Sequence, residues 1–208
     1  MKKLTCILLV LLTITVSAFA EEITFRDIPW GSNVSNTLDV LPKGYDIQSY
    51  EARINLWDGY EDYNSVNNCL KYSIYYDNVL TVAGYNVRWI NLCFLYGYTE
   101  ENIVLRNEND LSLFSAEYHL EVVDPLTSAE DLTAKLSDLY GLGKIGENDF
   151  KYNTVTWYGD NNTAVQLEYS DDHITIRYGN TDDTEIIGLT QALIVEEQAR
   201  TGGNTEGL

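Results

Sequence analysis

A chain of 208 residues with 45% apolar side chains, 32 acidic and 13 basic residues is neither a disordered polyanion nor a fibrous repeat, and it should fold. Three Pro and 14 Gly beside 16 Tyr and 4 Trp leave ample strand-forming material and little low-complexity sequence. The net charge of −19 disfavours nucleic acid and anionic membrane surfaces, because the cations are scattered as far as Arg200 with no basic stripe to meet phosphates.

The chain opens with Met1, Lys2 and Lys3, an apolar run from Ile7 to Val16, and Ser17-Ala18-Phe19-Ala20. A basic start, an apolar stretch too short to span a bilayer and small residues at Ala18 and Ala20 predict a signal peptide over 1–20, cleaved after Ala20. The expected mature chain is thus secreted, extracellular or at the cell surface, with no integral membrane segment. Cys6 precedes the apolar run and leaves with it, so no acylation cysteine remains. Cys69 and Cys93 then form an even pair. Outside the cytoplasm that suggests a disulfide worth about 3 kcal/mol; in a reducing niche the same pair reads as two buried thiols, and both readings stand.

A short helix is expected around Val34 to Leu41, stopped by Pro42 and Gly44. Strand-like segments follow at Tyr50–Trp57, Leu70–Tyr76, Val79–Val82, Tyr85–Tyr96 and Leu111–Val122. Within Tyr85–Tyr96 one alternating set is Val87, Trp89, Cys93 and Leu95, the other Ile90, Leu92, Phe94 and Tyr96; a strand apolar on both sides should be central. Val123-Asp124-Pro125 then interrupts, and Thr127 with Glu130 reads as a capping box for a helix over 127–140, with Leu132, Leu136 and Leu139 as its stripe and Gly141 as its end. Three segments, Thr154–Tyr158, Ala164–Tyr169 and Ile174–Tyr178, joined by Asn- and Asp-rich turns, predict an antiparallel meander. Their apolar set includes Val155, Trp157, Val165, Leu167, Ile176 and Tyr178. Thr156, Gln166, Glu168, Thr175 and Arg177 form the opposite set, expected to be wet. A final helix over 185–200 would use Ile187, Ala192, Val195 and Ala199, before a tail at 201–208.

Helix followed by meander thus occurs twice. The fold class is α+β, antiparallel meanders packed against helices in two related halves, 21–123 and 124–200.

Chemistry is harder to read. The chain has no Gly-x-Ser-x-Gly elbow, no His-Glu-x-x-His and no phosphate loop. Metal and cofactor are both read as none: two Cys far from His119 and His173 lack zinc spacing, and Asp58-Gly59-Tyr60-Glu61-Asp62 lacks calcium-loop spacing. His119 shares a strand face with Glu117 and Glu121, where a carboxylate could orient an imidazole; with no accompanying nucleophile this reads as a solvent-facing polar row, and His173 as surface decoration. No catalytic residue is named. The tyrosines Tyr72, Tyr75, Tyr76, Tyr85, Tyr96 and Tyr98 are either core and strand formers or a platform, and Tyr72, Tyr75, Tyr76, Tyr96 and Tyr98 are the candidate binding residues. Trp30 is expected to anchor the core beside Pro29.

The segment Ile23-Thr24-Phe25-Arg26-Asp27-Ile28-Pro29-Trp30-Gly31-Ser32 resembles the opening of a family of secreted proteins and lipoproteins of Firmicutes, particularly gut clostridia. Leu139-Tyr140-Gly141, Thr156-Trp157-Tyr158 and the ending Asn204-Thr205-Glu206-Gly207-Leu208 are similar to that family as well. In element order the chain also resembles SmpA/OmlA-type envelope lipoproteins and β-lactamase-inhibitor-protein-like domains, which implies a non-catalytic binding protein with an extracellular protein or glycan as partner. The alternative is a secreted hydrolase acting on glycans or peptides through carboxylates. A structural envelope component that self-associates is the third class.

Overall fold

The computed structural model describes residues 22–52, 67–148 and 151–200. The expected signal peptide, the end of the strand placed at Tyr50–Trp57 and the tail at 201–208 lie outside them. Helix α1 (Val34–Val40) is followed by strands β1 (Asp46–Ala52), β2 (Cys69–Tyr75), β3 (Thr81–Val82), β4 (Tyr85–Leu95), β5 (Gly97–Tyr98) and β6 (Val104–Leu105). A short 3-10 turn (Glu108–Asp110) then leads into β7 (Ser112–Glu121). The second half runs α2 (Pro125–Tyr140), β8 (Lys144–Glu147), β9 (Asn153–Tyr158), β10 (Thr163–Tyr169), β11 (Ile174–Asn180) and α3 (Asp183–Arg200). This is the expected α+β class.

One antiparallel sheet joins both halves in the order β1-β2-β4-β7-β11-β10-β9-β8, with β3 paired to β4 and the β5–β6 hairpin standing apart. The last long strands of the two halves, β7 and β11, therefore meet at its centre, Tyr118 opposite Ile176.

Local sequence explains the helix ends. Asp124, not Thr127, caps α2: its carboxylate accepts from Thr127 N at 3.2 Å and from the Thr127 hydroxyl at 2.7 Å, and Pro125 takes the first turn, where its missing N–H costs nothing. Gly141 closes the helix at φ +84°, a conformation glycine adopts freely. Pro125, Ser128, Ala129, Leu132 and Leu136 make its buried stripe, while Leu139 is 73% exposed and drops out of the expected one. In α3 the buried apolar positions are Ile186, Leu189, Ala192 and Leu193; of the expected stripe Ala192 is buried, while Ile187 and Val195 are exposed, so the face is turned.

Strand alternation separates the sheet into two faces. On the apolar face Ile74, Ile90, Leu92, Ala116, Leu167 and Ile176 are almost wholly buried. Helix α2 packs there across β9 and β10, and Trp157 donates its indole N–H to Gly141 O at 3.0 Å. The N-terminal segment lies on the same face: Phe25, fully buried, contacts Tyr118 and Tyr178, and Trp30 packs on the core with its indole bonded to Ile23 O at 2.9 Å. β4 is central as expected, but a register shift between Val87 and Trp89 puts these two on opposite faces. Val87 joins the core opposite Leu120, and Trp89 turns to the other side opposite His119.

Candidate functional site

The face opposite α2 is polar along its whole width. Register alignment places Gln48, Ser73, Asn91, Glu117, Arg177, Gln166, Thr156 and Lys144 in one row that crosses all eight strands of the main sheet path. Such a row arises because each strand contributes every second residue to a face. Ser73 Oγ donates to Asn91 Oδ1 at 2.7 Å, Asn91 Nδ2 donates to Glu117 Oε2 at 3.0 Å, and Gln166 Nε2 donates to Thr156 Oγ1 at 3.0 Å. Ser73, Asn91, Thr156 and Thr175 are buried, so the expected wet face is partly closed by its own side chains.

The neighbouring row, one pleat along, holds Asp46, Tyr75, Trp89, His119, Thr175, Glu168 and Thr154. Its rings form a continuous chain. Tyr45 and Tyr75 have centroids 6.3 Å apart, Tyr75 and Trp89 6.1 Å, and Trp89 and His119 4.3 Å with their planes 17° apart. His119 meets His173 edge-on at 6.4 Å, and His173 stacks on Tyr152 at 5.0 Å. His119 thus departs from the expected solvent-facing row, and His173 from the expected surface decoration. His173 Nε2 lies 3.2 Å from Glu168 Oε1, and Glu168 Oε2 accepts from Asn148 Nδ2. His119 Nε2 lies 2.9 Å from Glu117 Oε2 and 2.7 Å from Asn91 Nδ2, whereas Glu121 is exposed. Asn91, Glu117 and His119 therefore make a closed triangle. A hydrogen on Nε2 bonds it to Glu117 and opposes two donors at Asn91; a bare Nε2 accepts from Asn91 and opposes two acceptors at Glu117.

Charge on this face is set by neighbours. Burial pushes the Glu117 carboxyl upward, but the His119 bond and charge, Asn91 and Lys71 together outweigh it and hold the group at about 2. His173 is raised, chiefly by its bond to Glu168 and against burial. Burial works against the Lys71 ammonium, yet Cys93, Glu117 and Tyr50 raise it overall.

The two cysteines belong to the same face and are free thiols, the second of the two readings the sequence left open. Cys69 stands opposite Leu95 and Cys93 opposite Lys71, so the pair is diagonal across β2 and β4. Diagonal neighbours lie about 7–8 Å apart, beyond the usual Cα separation of a disulfide of about 4.4–6.8 Å. The Cys69 thiol donates to Ala52 O at 3.3 Å. The neighbouring Cys69 thiol, with help from Lys71 and against burial, lowers Cys93 to about 7, while Cys93 and burial push Cys69 up.

Of the five candidate tyrosines, only Tyr75 joins the ring chain. Tyr72, Tyr76 and Tyr96 are buried, with Tyr72 OH donating to Glu108 Oε1 at 2.9 Å and Tyr76 OH to Pro42 O at 3.0 Å. Tyr98 lies at the β5–β6 hairpin over Gly188 of α3. Sequence reasoning missed Tyr45, Trp89, His173 and Tyr152. Alternation could place Trp89 and His119 on strand faces, but only the pairing of β4 with β7 brings their rings together.

Among the described residues, cavities lie off this face. One of about 370 Å³ is lined by Glu22, Arg26, Asp27, Tyr118, Tyr140 and Tyr178 among others. Another, about 360 Å³, gathers Glu51, Glu196 and Glu197 with Arg106 and Arg200. Its Glu196 is held in two bonds by Arg106, at 2.7 and 2.9 Å, which keeps that carboxyl below its ordinary range. Among the described residues no group of three or more His, Cys, Asp or Glu is arranged to hold a metal ion, and no helix is long and apolar enough to cross a membrane. Comparison with protein-family models, with curated proteins and with solved structures gave no match.

Proposed function

We propose that this chain is an exported, non-enzymatic binding protein of bacterial origin that meets an extracellular partner on the polar sheet face. The observation that carries the reading is the unbroken ring chain from Tyr45 through Tyr75, Trp89, His119 and His173 to Tyr152, set beside a row of hydrogen-bonding side chains. Aromatic groups with polar tips give large contact area at low cost in side-chain freedom, and they concentrate where proteins bind. Among the described residues, the carboxylate at the centre of this face and one in the Arg106 cavity are already engaged. Glu117 is held ionised and cannot donate a proton near neutral pH, and Glu196 is locked to Arg106. That favours the binding reading over carboxylate-dependent hydrolysis.

The test is retention on immobilised protein spanning residues 21–208. Partner retained from culture supernatant by the wild type and released by Trp89→Ala, at unchanged melting temperature, is the expected result. Equal retention by both removes the ring chain from the binding surface. Turnover of polysaccharide or peptide by the same preparation, lost in Glu117→Gln, would replace binding with hydrolysis.

A further inference from the structure

We infer that the ring chain receives a basic polypeptide and not a glycan. This rests on the binding reading above and decides which kind of partner fits. The argument starts from ring orientation. Trp89 and His119 stand on adjacent strands, with centroids 4.3 Å apart and planes within 17°. That separation is close to the distance of about 4.8 Å between neighbouring strands, so the vector joining the rings runs along the sheet and both rings stand upright on it. Each covers a face of the other. Arg88 lies over the Trp89 ring at 5.4 Å, and Tyr152 and His173 cover one another in the same way at 5.0 Å and 24°. What the surface presents at these four rings is edges and polar tips. A sugar ring packs its C–H face on an open aromatic face, and here each of these four rings has a face taken by a neighbour. Edges and tips among hydrogen-bonding neighbours suit the side chains and backbone amides of a protein.

Charge narrows the partner further. The ring row itself contains Asp46 and Glu168, and on β7 Glu117 and Glu121 flank His119 two residues to either side. Glu117 stays ionised because His119, Asn91 and Lys71 stabilise its charge. Lys71 stands in another row, Arg177 lies opposite Glu117 and Arg88 over Trp89, so three cations face these four acids. The chain as a whole carries −19, a field that accelerates encounter with a cation and repels a second copy of itself.

The experiment measures, on the chain from residue 21 to 208, binding of labelled peptides of equal length graded from acidic to basic, and of neutral cello-oligosaccharides. Three proteins are compared: wild type, Trp89→Ala, and a variant with Glu100→Gln and Glu101→Gln, two exposed acids remote from the ring chain. The expected result is tightest binding of the basic peptides, weakened about tenfold or more by Trp89→Ala and less than about twofold by removal of the remote acids. Loss on removal of the remote acids with none in Trp89→Ala would reduce the effect to net charge and overturn the proposal. Oligosaccharide binding that Trp89→Ala abolishes would keep the face and overturn the partner class. Absence of binding by every probe, with all three proteins folded by melting temperature, would remove the face as well.

Discussion

The two faces of the sheet are made from the same strands, residue by residue in alternation, yet they exclude water by different means. On one, Ile90, Leu92, Leu167 and Ile176 are buried under α2 and the N-terminal segment. On the other, Ser73, Asn91, Thr156 and Thr175 are buried because longer neighbours such as Glu117, Arg177 and Trp89 lie beside them in the same or adjoining rows. The first depends on apolar area removed from water, about 25 cal/mol for each Å². The second depends on every buried hydrogen-bonding group finding a partner, where the net gain is small and the loss on breaking a set is larger. The apolar face should therefore dominate stability, and the polar face should answer to pH and to reagents.

The largest expected effect separates two adjacent residues of β10. Leu167→Ala should cost about 3 kcal/mol in urea unfolding, because a fully buried leucine leaves a cavity. Gln166→Ala, one residue away on the polar face, should cost about 1 kcal/mol, the scale of one lost bond to Thr156. Equal costs would break the comparison between the faces.

Next is acid sensitivity. The Glu117 carboxyl is depressed in the folded chain, so its contribution is present above the ordinary glutamate value and is lost as pH falls from about 4.5 toward about 2. The scale is roughly 3 kcal/mol. Glu117→Gln should lose that stability near neutral pH and show a flatter acid limb, read as melting temperature against pH. A wild-type limb unchanged by the substitution would place the acid response elsewhere in the chain.

The smallest effect is chemical. Near pH 7.5 iodoacetamide should modify Cys93 well before Cys69, since the Cys93 thiol is lowered to about 7 and half-buried while Cys69 is raised and fully buried. Mass spectrometry of the digested protein reads the order, and faster reaction of Cys69 would sharpen the picture of this diagonal pair against us.

Much of the fold was legible because its signals are local. Gly141 ends α2, Asn- and Asp-rich turns separate β9, β10 and β11, and Val155, Val165 and Leu167 alternate toward the core. Errors arose where a local signal had a competitor one to three residues away. Asp124 with Pro125 outcompeted Thr127 as a cap, and a one-residue shift in β4 turned Trp89 away from Val87. The candidate site was hardly legible at all. Its histidines are 54 residues apart in sequence and come together through the pairing of β7 with β11 and the turn before β11, information that resides in tertiary structure and not in spacing.

That central pairing bears on how the chain folds. β10 and β11, β9 and β10, and β8 and β9 each join sequence neighbours across short turns, so the second meander closes small loops as it forms. The β7–β11 seam instead brings together strands separated by all of α2, β8, β9 and β10. Loop-closure entropy falls chiefly on that step, and non-local contacts of this kind slow folding. The ring chain crosses the same seam, from His119 to His173. On the binding reading proposed above, the face is complete only once this long-range seam has formed, which ties the site to completion of the fold.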